Sequence, residues 1–161
     1  MEDNQPASTT PAASQAAARP SYSRATLRYI NSMKFFGVVY IAVGLAFFFI
    51  PNQLFYVMNL PTKLGLLEPI AESAERFWLV MTSAMMAMLA ALSFLAAESP
   101  GIRGYALVHI LSKTVSIAGF LYAFINHGHC LAYLIGAATD LPIALYVTWI
   151  TIANARTGTH E

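Results

Sequence analysis

Residues 77–97 read FWLVMTSAMMAMLAALSFLAA, a run of twenty-one residues without a charged side chain. A helix of about 20 apolar residues crosses the ~30 Å hydrocarbon core of a bilayer. Small residues at Ser83, Ala87 and Ala91 recur every fourth position, which predicts a face for close helix packing. This stretch therefore predicts a membrane-spanning helix.

Three further apolar runs accompany it, at about 34–50, 105–125 and 130–153. A helix at the surface of a soluble bundle carries a polar face at 3.6-residue spacing. Polar residues are too few to build such a face on any of the four runs. The chain is therefore predicted to be all-α, a polytopic membrane protein folded as a four-transmembrane-helix bundle.

The overall composition agrees with membrane insertion. Hydrophobic residues make up 57% of the 161 residues and charged residues 11%, against about 25% charged residues in soluble proteins. A soluble chain of this size has too much surface to hide that apolar content. The net charge of +1 provides no basic footprint for nucleic acid. We expect the lipid bilayer as the main environment and no nucleic-acid partner.

The chain divides into three parts. Residues 1–21 are rich in Ala, Ser, Thr and Pro, which predicts a disordered tail. Residues 22–154 form the membrane domain and 155–161 a short tail. Within the domain, residues 22–34 form either a basic amphipathic helix on the membrane surface or the start of the first span. The apolar loop 51–76 is predicted to lie in the outer interface.

Lysine and arginine side chains are distributed unequally between the two sides. Positively charged residues accumulate in cytoplasmic segments. The side with both termini carries six of them, whereas the other side carries Lys63 and the border residue Arg76. Both termini are therefore predicted to be cytoplasmic, and we expect an integral protein of a bacterial inner membrane.

The third run contains a polar stripe. Five residues fall at i, i+4, i+7, i+8 and i+11 and so share one helical face: Tyr105, His109, Ser112, Lys113 and Ser116. Polar side chains inside a membrane helix face protein or water rather than lipid. Asp140 lies near the middle of the fourth run, at the depth of Lys113, so we predict a Lys113–Asp140 contact. This pair is either a structural tie or a functional charge site.

Other candidate chemistry is sparse. His127, His129 and Cys130 are ligand types for zinc or copper, but they are nearly consecutive and lack a second cluster, so no metal site is predicted. The single cysteine excludes an intramolecular disulfide. The sequence has no phosphate loop, dinucleotide fingerprint or CxxC motif. No catalytic residues are assigned, and these features favour a protein that is not an enzyme.

Three apolar segments of the chain read IAVGLAFFFIPNQLFYVMNLP, LAAESPGIRGYALVHILSKTVS and YLIGAATDLPIALYVTW. They resemble small four-helix membrane proteins of the DoxX-like type. The resemblance covers about residues 33–153 and implies a compact four-helix bundle. For some members it also implies association with quinone-linked sulfur or redox systems, which makes quinone a candidate cofactor, whereas the residues themselves predict no cofactor. No catalytic motif matches residue by residue.

Three functions follow as hypotheses. The first is an accessory or assembly subunit without its own catalytic centre, acting with a membrane-protein partner or as a homo-oligomer. The second is a quinone- or redox-linked membrane subunit, in which Tyr105, His109 and Lys113 contact the quinone. The third is a small transporter or proton relay that uses Lys113 and Asp140.

Overall fold

The computed structural model describes residues 22–60, 76–126 and 129–157, together with Thr62, Gly65 and Pro69. These residues form five helices: α1 (Arg24–Phe49), α2 (Pro51–Asn59), α3 (Arg76–Glu98), α4 (Arg103–Asn126) and α5 (Leu131–Thr157). The tail predicted to be disordered at 1–21 lies outside the described residues. The all-α, four-span prediction is confirmed.

The first span is one continuous helix of 26 residues, Arg24–Phe49. Of the two interpretations of residues 22–34, the start of the span is therefore correct and a separate surface helix is wrong. Ser23 caps the helix, because its side chain accepts a hydrogen bond from the Thr26 amide at 3.1 Å. At the other end of the chain, α5 continues to Thr157, past the predicted boundary at 153 and into the segment assigned to the tail.

Pro51 separates α1 from α2. A residue before proline is driven out of the α-helical region, and Ile50 has φ −131° and ψ 46°. Proline suits the first turn of a helix because its missing N–H has no helical partner there, so α2 begins at Pro51. Phe55 of α2 is buried, while Tyr56 and Val57 are exposed. This apolar nine-residue helix fits the predicted interfacial segment.

The four long helices are arranged in a ring. Contacts are most extensive between α1 and α3 and between α4 and α5, and they are fewer between α3 and α4 and between α1 and α5. The order around the ring is therefore α1, α3, α4, α5, and α1 lies diagonally across the bundle from α4. The bundle consists of two closely packed helix pairs with a looser interface between them.

Two glycines allow close approach within these pairs. A Cβ atom on Gly37 of α1 would lie 2.7 Å from the ring of Phe94 of α3, and one on Gly136 of α5 would lie 2.6 Å from the ring of Phe120 of α4. Both rings thus pack directly on a helix backbone. Such small-residue contacts drive association in membranes, where lipid tails already solvate apolar side chains.

The packing face of α3 coincides with the predicted one only at Ser83, whose hydroxyl donates to the Gly44 carbonyl of α1 at 3.1 Å. Ala87 and Ala91 are exposed. The buried residues of α3 are instead Leu89, Ala90, Ser93, Ala96 and Ala97. Small residues are frequent on every side of this helix, so their four-residue spacing alone does not identify the face that meets α1 and α4.

The two chain ends of the described residues meet. Ser23 Oγ donates a hydrogen bond to Thr157 Oγ1 at 3.3 Å. The Asn154 amide on α5 donates to the Pro100 carbonyl, in the turn between α3 and α4, at 2.8 Å. The start of α1, the α3–α4 turn and the end of α5 therefore lie at the same end of the bundle.

Of the five helices in the described residues, four are long and apolar enough to cross a membrane: α1, α4, α5 and the Phe77–Glu98 part of α3. Many large apolar side chains point outward, including Phe35, Leu111 and Leu145. In water such a surface would be strongly unfavourable, whereas lipid tails solvate it. The chain is a small integral membrane protein.

Candidate functional site

Lys113 and Asp140 form an ion pair inside the bundle. Lys113 Nζ donates to Asp140 Oδ1 at 2.6 Å, and the two side chains are 6% and 11% exposed. Both lie near the middle of their helices, α4 and α5. The contact predicted from the sequence is present in the structure, and it joins the two helices of one packed pair.

His109 lies one helical turn before Lys113 and makes two contacts. Its Nε2 shares a hydrogen bond of 2.8 Å with Tyr40 Oη, and its Nδ1 lies 3.4 Å from Ser93 Oγ. The Ser93 hydroxyl donates its one hydrogen to the Leu89 carbonyl at 2.8 Å, so its oxygen is left to accept from Nδ1–H. In that tautomer of the neutral imidazole, Tyr40 donates to Nε2.

Tyr40 connects the histidine to the ion pair. Its ring centroid lies 5.1 Å from Lys113 Nζ, a cation–π distance, and 5.3 Å from the His109 ring centroid. We call these five residues the buried polar cluster: Tyr40, Ser93, His109, Lys113 and Asp140. It draws one or two side chains from each long helix, and Tyr40 reaches across the diagonal from α1 to α4.

The cluster is shielded from its surroundings. As whole residues, backbone included, Ser93 and His109 are each 1% exposed, and Lys113 and Asp140 are 5% and 8% exposed. A lone charge at the centre of a membrane helix costs about 2.5–3.5 kcal/mol on insertion scales. Because each charge has the other as its partner, the bundle avoids much of that cost. Among the described residues, no buried side-chain nitrogen or oxygen lacks a hydrogen-bond partner.

The other members of the predicted stripe lie beside the cluster. Tyr105, Ser112 and Ser116 are half-buried. Tyr105 packs against the apolar core. From the predicted set, the structure thus brings together His109, Lys113 and Asp140. It leaves Tyr105, Ser112 and Ser116 at the margin of the cluster.

The HGHC segment forms no cluster in the part of the chain that is described. His127 lies outside the described residues. The His129 ring packs edge-on against Phe124 with centroids 5.1 Å apart, and Cys130 is a buried free thiol. Within 22–60, 76–126 and 129–157, no group of three histidine, cysteine or acidic residues is placed to hold a metal ion.

Sequence reasoning missed Tyr40 and Ser93. Each lies in an apolar run with no neighbouring polar stripe, so nothing in its own helix distinguishes it. Tyrosine and serine are also common in membrane spans, where a hydroxyl can bond to its own helix, as Thr114 does with the Ile110 carbonyl at 2.9 Å. Only the helix arrangement brings both onto the imidazole of α4.

An apolar groove lies between α1 and α3, with a volume of about 230 Å³. It is open on the lipid side, where Ile41, Leu45 and Phe48 are exposed. Its lining consists of Tyr40, Ile41, Gly44, Leu45, Phe48, Ser83 and Ala87. Tyr40 therefore belongs both to the groove wall and to the buried polar cluster.

Comparison with known proteins identifies no relative: no family model, curated protein or solved structure matches this chain. The function is therefore inferred from the geometry of the buried polar cluster.

Proposed function

We propose that this protein carries protons within the membrane through the buried polar cluster. The observation that supports this is the 2.6 Å Lys113–Asp140 pair at the centre of the bundle, one helical turn from the His109–Tyr40 hydrogen bond of 2.8 Å. Ionisable side chains inside membrane spans are costly and are typical of ion and proton pathways. Here four groups able to exchange protons lie within about one helical turn (~5.4 Å) of depth.

The pair can pass one proton per cycle. A proton that binds to Asp140 neutralises the carboxylate and leaves the Lys113 ammonium against the Tyr40 ring. Lys113 then releases its own proton to the His109 imidazole or to water beside it, and transfer from the Asp140 carboxyl to the amine restores the original pair. His109 and Ser93 continue the polar path toward the end of the bundle where α3 meets α4.

The helix arrangement supplies a way to expose this path. The Lys113–Asp140 contact lies within one tightly packed pair, α4 and α5, whereas the Tyr40–His109 and Ser93–His109 contacts cross to the other pair. A small separation of the two pairs would break the contacts of His109 and leave the ion pair intact. Water would then reach the imidazole from one end of the bundle.

We further propose the setting expected from the sequence: a DoxX-like protein of a bacterial inner membrane with both termini in the cytoplasm. The meeting of Ser23 and Thr157 at one end of the bundle supports a shared side for the termini. The exposed basic residues Arg24, Arg28 and Arg103 at that end support the cytoplasmic assignment under the positive-inside rule.

Proton flux in liposomes tests the relay. The purified full-length chain is reconstituted with an internal pH dye, a potassium gradient and valinomycin. We expect flux above that of protein-free liposomes, loss of flux in Asp140→Asn, and partial recovery in Asp140→Glu. Thr114→Val removes an exposed hydroxyl from the same helix and serves as the matched control, with unchanged flux. Equal flux in Asp140→Asn and the wild type would refute the proposal.

A second candidate is the accessory or assembly subunit, alone or as a homo-oligomer. It is favoured by the complete internal pairing of the cluster, which ties all four long helices together as a structural core would. A quinone-linked version of this role faces a specific demand: a quinone carbonyl, which only accepts hydrogen bonds, would have to replace Ser93 as the partner of His109 Nδ1–H or Asp140 as the partner of Lys113. A reconstituted chain without proton flux that co-purifies with one membrane protein would favour this candidate.

A further inference from the structure

Exposed side chains of α1 and α5 form a surface, which we call the edge, near the end of the bundle where α1 begins and α5 ends, outside the buried polar cluster. Arg28 lies over the ring of Trp149, with its Cζ atom 5.4 Å from the ring centroid. One turn further along α1, Ser32 Oγ and Tyr146 Oη share a hydrogen bond of 2.9 Å. The rings of Tyr146 and Trp149 are themselves 5.8 Å apart. These contacts fix the side chains of this edge relative to one another.

The edge changes character along the helix axes. Arg24 and Arg28, both exposed, lie one turn apart on the same face of α1, at the end of the bundle where Ser23 contacts Thr157. The amphipathic rings of Trp149 and Tyr146 follow. Beyond them lie exposed apolar side chains, Phe35 at 64% and Leu145 at 63%. The order is therefore positive charge, aromatic rings with polar edges, and hydrocarbon.

The two guanidinium groups lack a carboxylate partner within the described ranges, where the Lys113–Asp140 pair is the one ion pair. Like charges four residues apart on a helix repel each other. An anion placed between Arg24 and Arg28 would relieve that repulsion and occupy the guanidinium donors, which match phosphate geometry. The cation–π contact of Arg28 with Trp149 already holds one of the two side chains in position.

We propose that the edge formed by Arg24, Arg28, Tyr146 and Trp149 binds one anionic phospholipid, with its phosphate on the two arginines and its acyl chains along Phe35 and Leu145. A free phosphate matches only the charged part of this surface, and an acidic peptide does not match the exposed hydrocarbon part. A phospholipid matches all three parts in their observed order. Basic sites between helices on the cytoplasmic side are suited to such headgroups.

Fluorescence quenching tests the site directly. Trp78→Phe leaves Trp149 as the single tryptophan of the full-length chain, and vesicles contain either brominated phosphatidylglycerol or brominated phosphatidylcholine at equal mole fraction. Each arginine near an anionic headgroup contributes about fivefold in binding. We therefore expect phosphatidylglycerol to occupy the site at least about fivefold in preference to phosphatidylcholine.

Charge variants separate a site from general surface attraction. Arg24→Gln/Arg28→Gln should bring the preference close to one. Lys34→Gln/Arg103→Gln removes the same net charge, from a different face of α1 and from the start of α4, which lies diagonally across the bundle, and should leave the preference unchanged. Equal loss in both double variants, or equal quenching by the two lipids, would overturn the proposal. Relief of quenching by soluble glycerol phosphate or polyglutamate would also overturn it, because the occupant would then be a soluble anion or an acidic chain.

Discussion

Replacing each member of the Lys113–Asp140 pair, singly and together, should give strongly non-additive losses of stability. The pair is 2.6 Å long and its side chains are 6% and 11% exposed, so water screens it little. In Asp140→Leu, which keeps the branching of aspartate, the ammonium retains only the Tyr40 ring at 5.1 Å. Breaking a buried pair by removing one partner costs about 3–5 kcal/mol. Because the cation–π contact with Tyr40 remains, we expect Asp140→Leu to lower the free energy of unfolding by about 3 kcal/mol, near the lower end of that range.

The double variant Lys113→Met/Asp140→Leu leaves no buried charge. Replacing both members of a buried pair by apolar residues of similar volume is often neutral, so the double variant should be more stable than Asp140→Leu alone. The coupling between the two positions should reach about 3 kcal/mol, the upper end for residues in contact. Unfolding in mixed micelles, followed by Trp149 fluorescence in a full-length Trp78→Phe background, measures the stabilities of the parent chain, the two single variants and the double variant.

Thr114→Val is the control, since it changes an exposed side chain of α4 and should alter stability by less than about 0.5 kcal/mol. If the losses of the two single variants add within about 0.5 kcal/mol in the double variant, the residues are not in energetic contact. That result would refute the paired geometry and with it the electrostatic account of the cluster.

Three further predictions concern packing, the imidazole and orientation. Gly136→Ala should lower the free energy of unfolding by about 1–3 kcal/mol, because the added methyl group overlaps the Phe120 ring. Gly119→Ala adds its methyl group to open space and should be neutral or stabilising, so equal effects of the two variants on unfolding in micelles would contradict this. Tyr40→Phe should lower the free energy of unfolding by about 1–3 kcal/mol, because it leaves the buried Nε2 of His109 unpaired. The ¹⁵N chemical shifts of the His109 imidazole should change, and an unchanged spectrum would argue against the Tyr40–His109 hydrogen bond. The predicted orientation, with both termini in the cytoplasm, can be tested by labelling single cysteines in a cysteine-free background. Asn52→Cys should react with an impermeant maleimide on intact cells, and Thr157→Cys should react only after permeabilisation. The reverse pattern would overturn this orientation.

The membrane spans could be predicted from the sequence because hydrocarbon imposes a local rule. Each span must satisfy its backbone groups internally and cover about 30 Å with apolar side chains. Residues 77–97 and 105–125 meet that rule by themselves, and α3 and α4 extend only one or two residues beyond them at each end. The start of the first span was harder to place, because a basic amphipathic turn is compatible with either a surface helix or a helix end.

The charged residues of the site could also be predicted from the sequence, because charged side chains are scarce inside the spans. Lys113 and Asp140 stand out in apolar runs, and their similar depth on neighbouring helices predicts their contact. The polar stripe identified His109 as inward-facing, but it gave the same weight to Ser112 and Ser116. Helical spacing assigns a face and not a partner, so it does not separate the residues at the centre of the bundle from those at its margin.

By itself, the sequence determined that this chain lies in a membrane as four helices, and that its few intramembrane charges meet, because both follow from the cost of placing polar groups in hydrocarbon. The tertiary structure decided which hydroxyl groups complete the buried polar cluster. Tyr40 and Ser93 reach His109 only because α1 lies diagonally across from α4 and α3 lies beside it. That ring order depends on close contacts such as Gly37 with Phe94 and Gly136 with Phe120, whose shape complementarity is spread over two helices and is not encoded in either one alone.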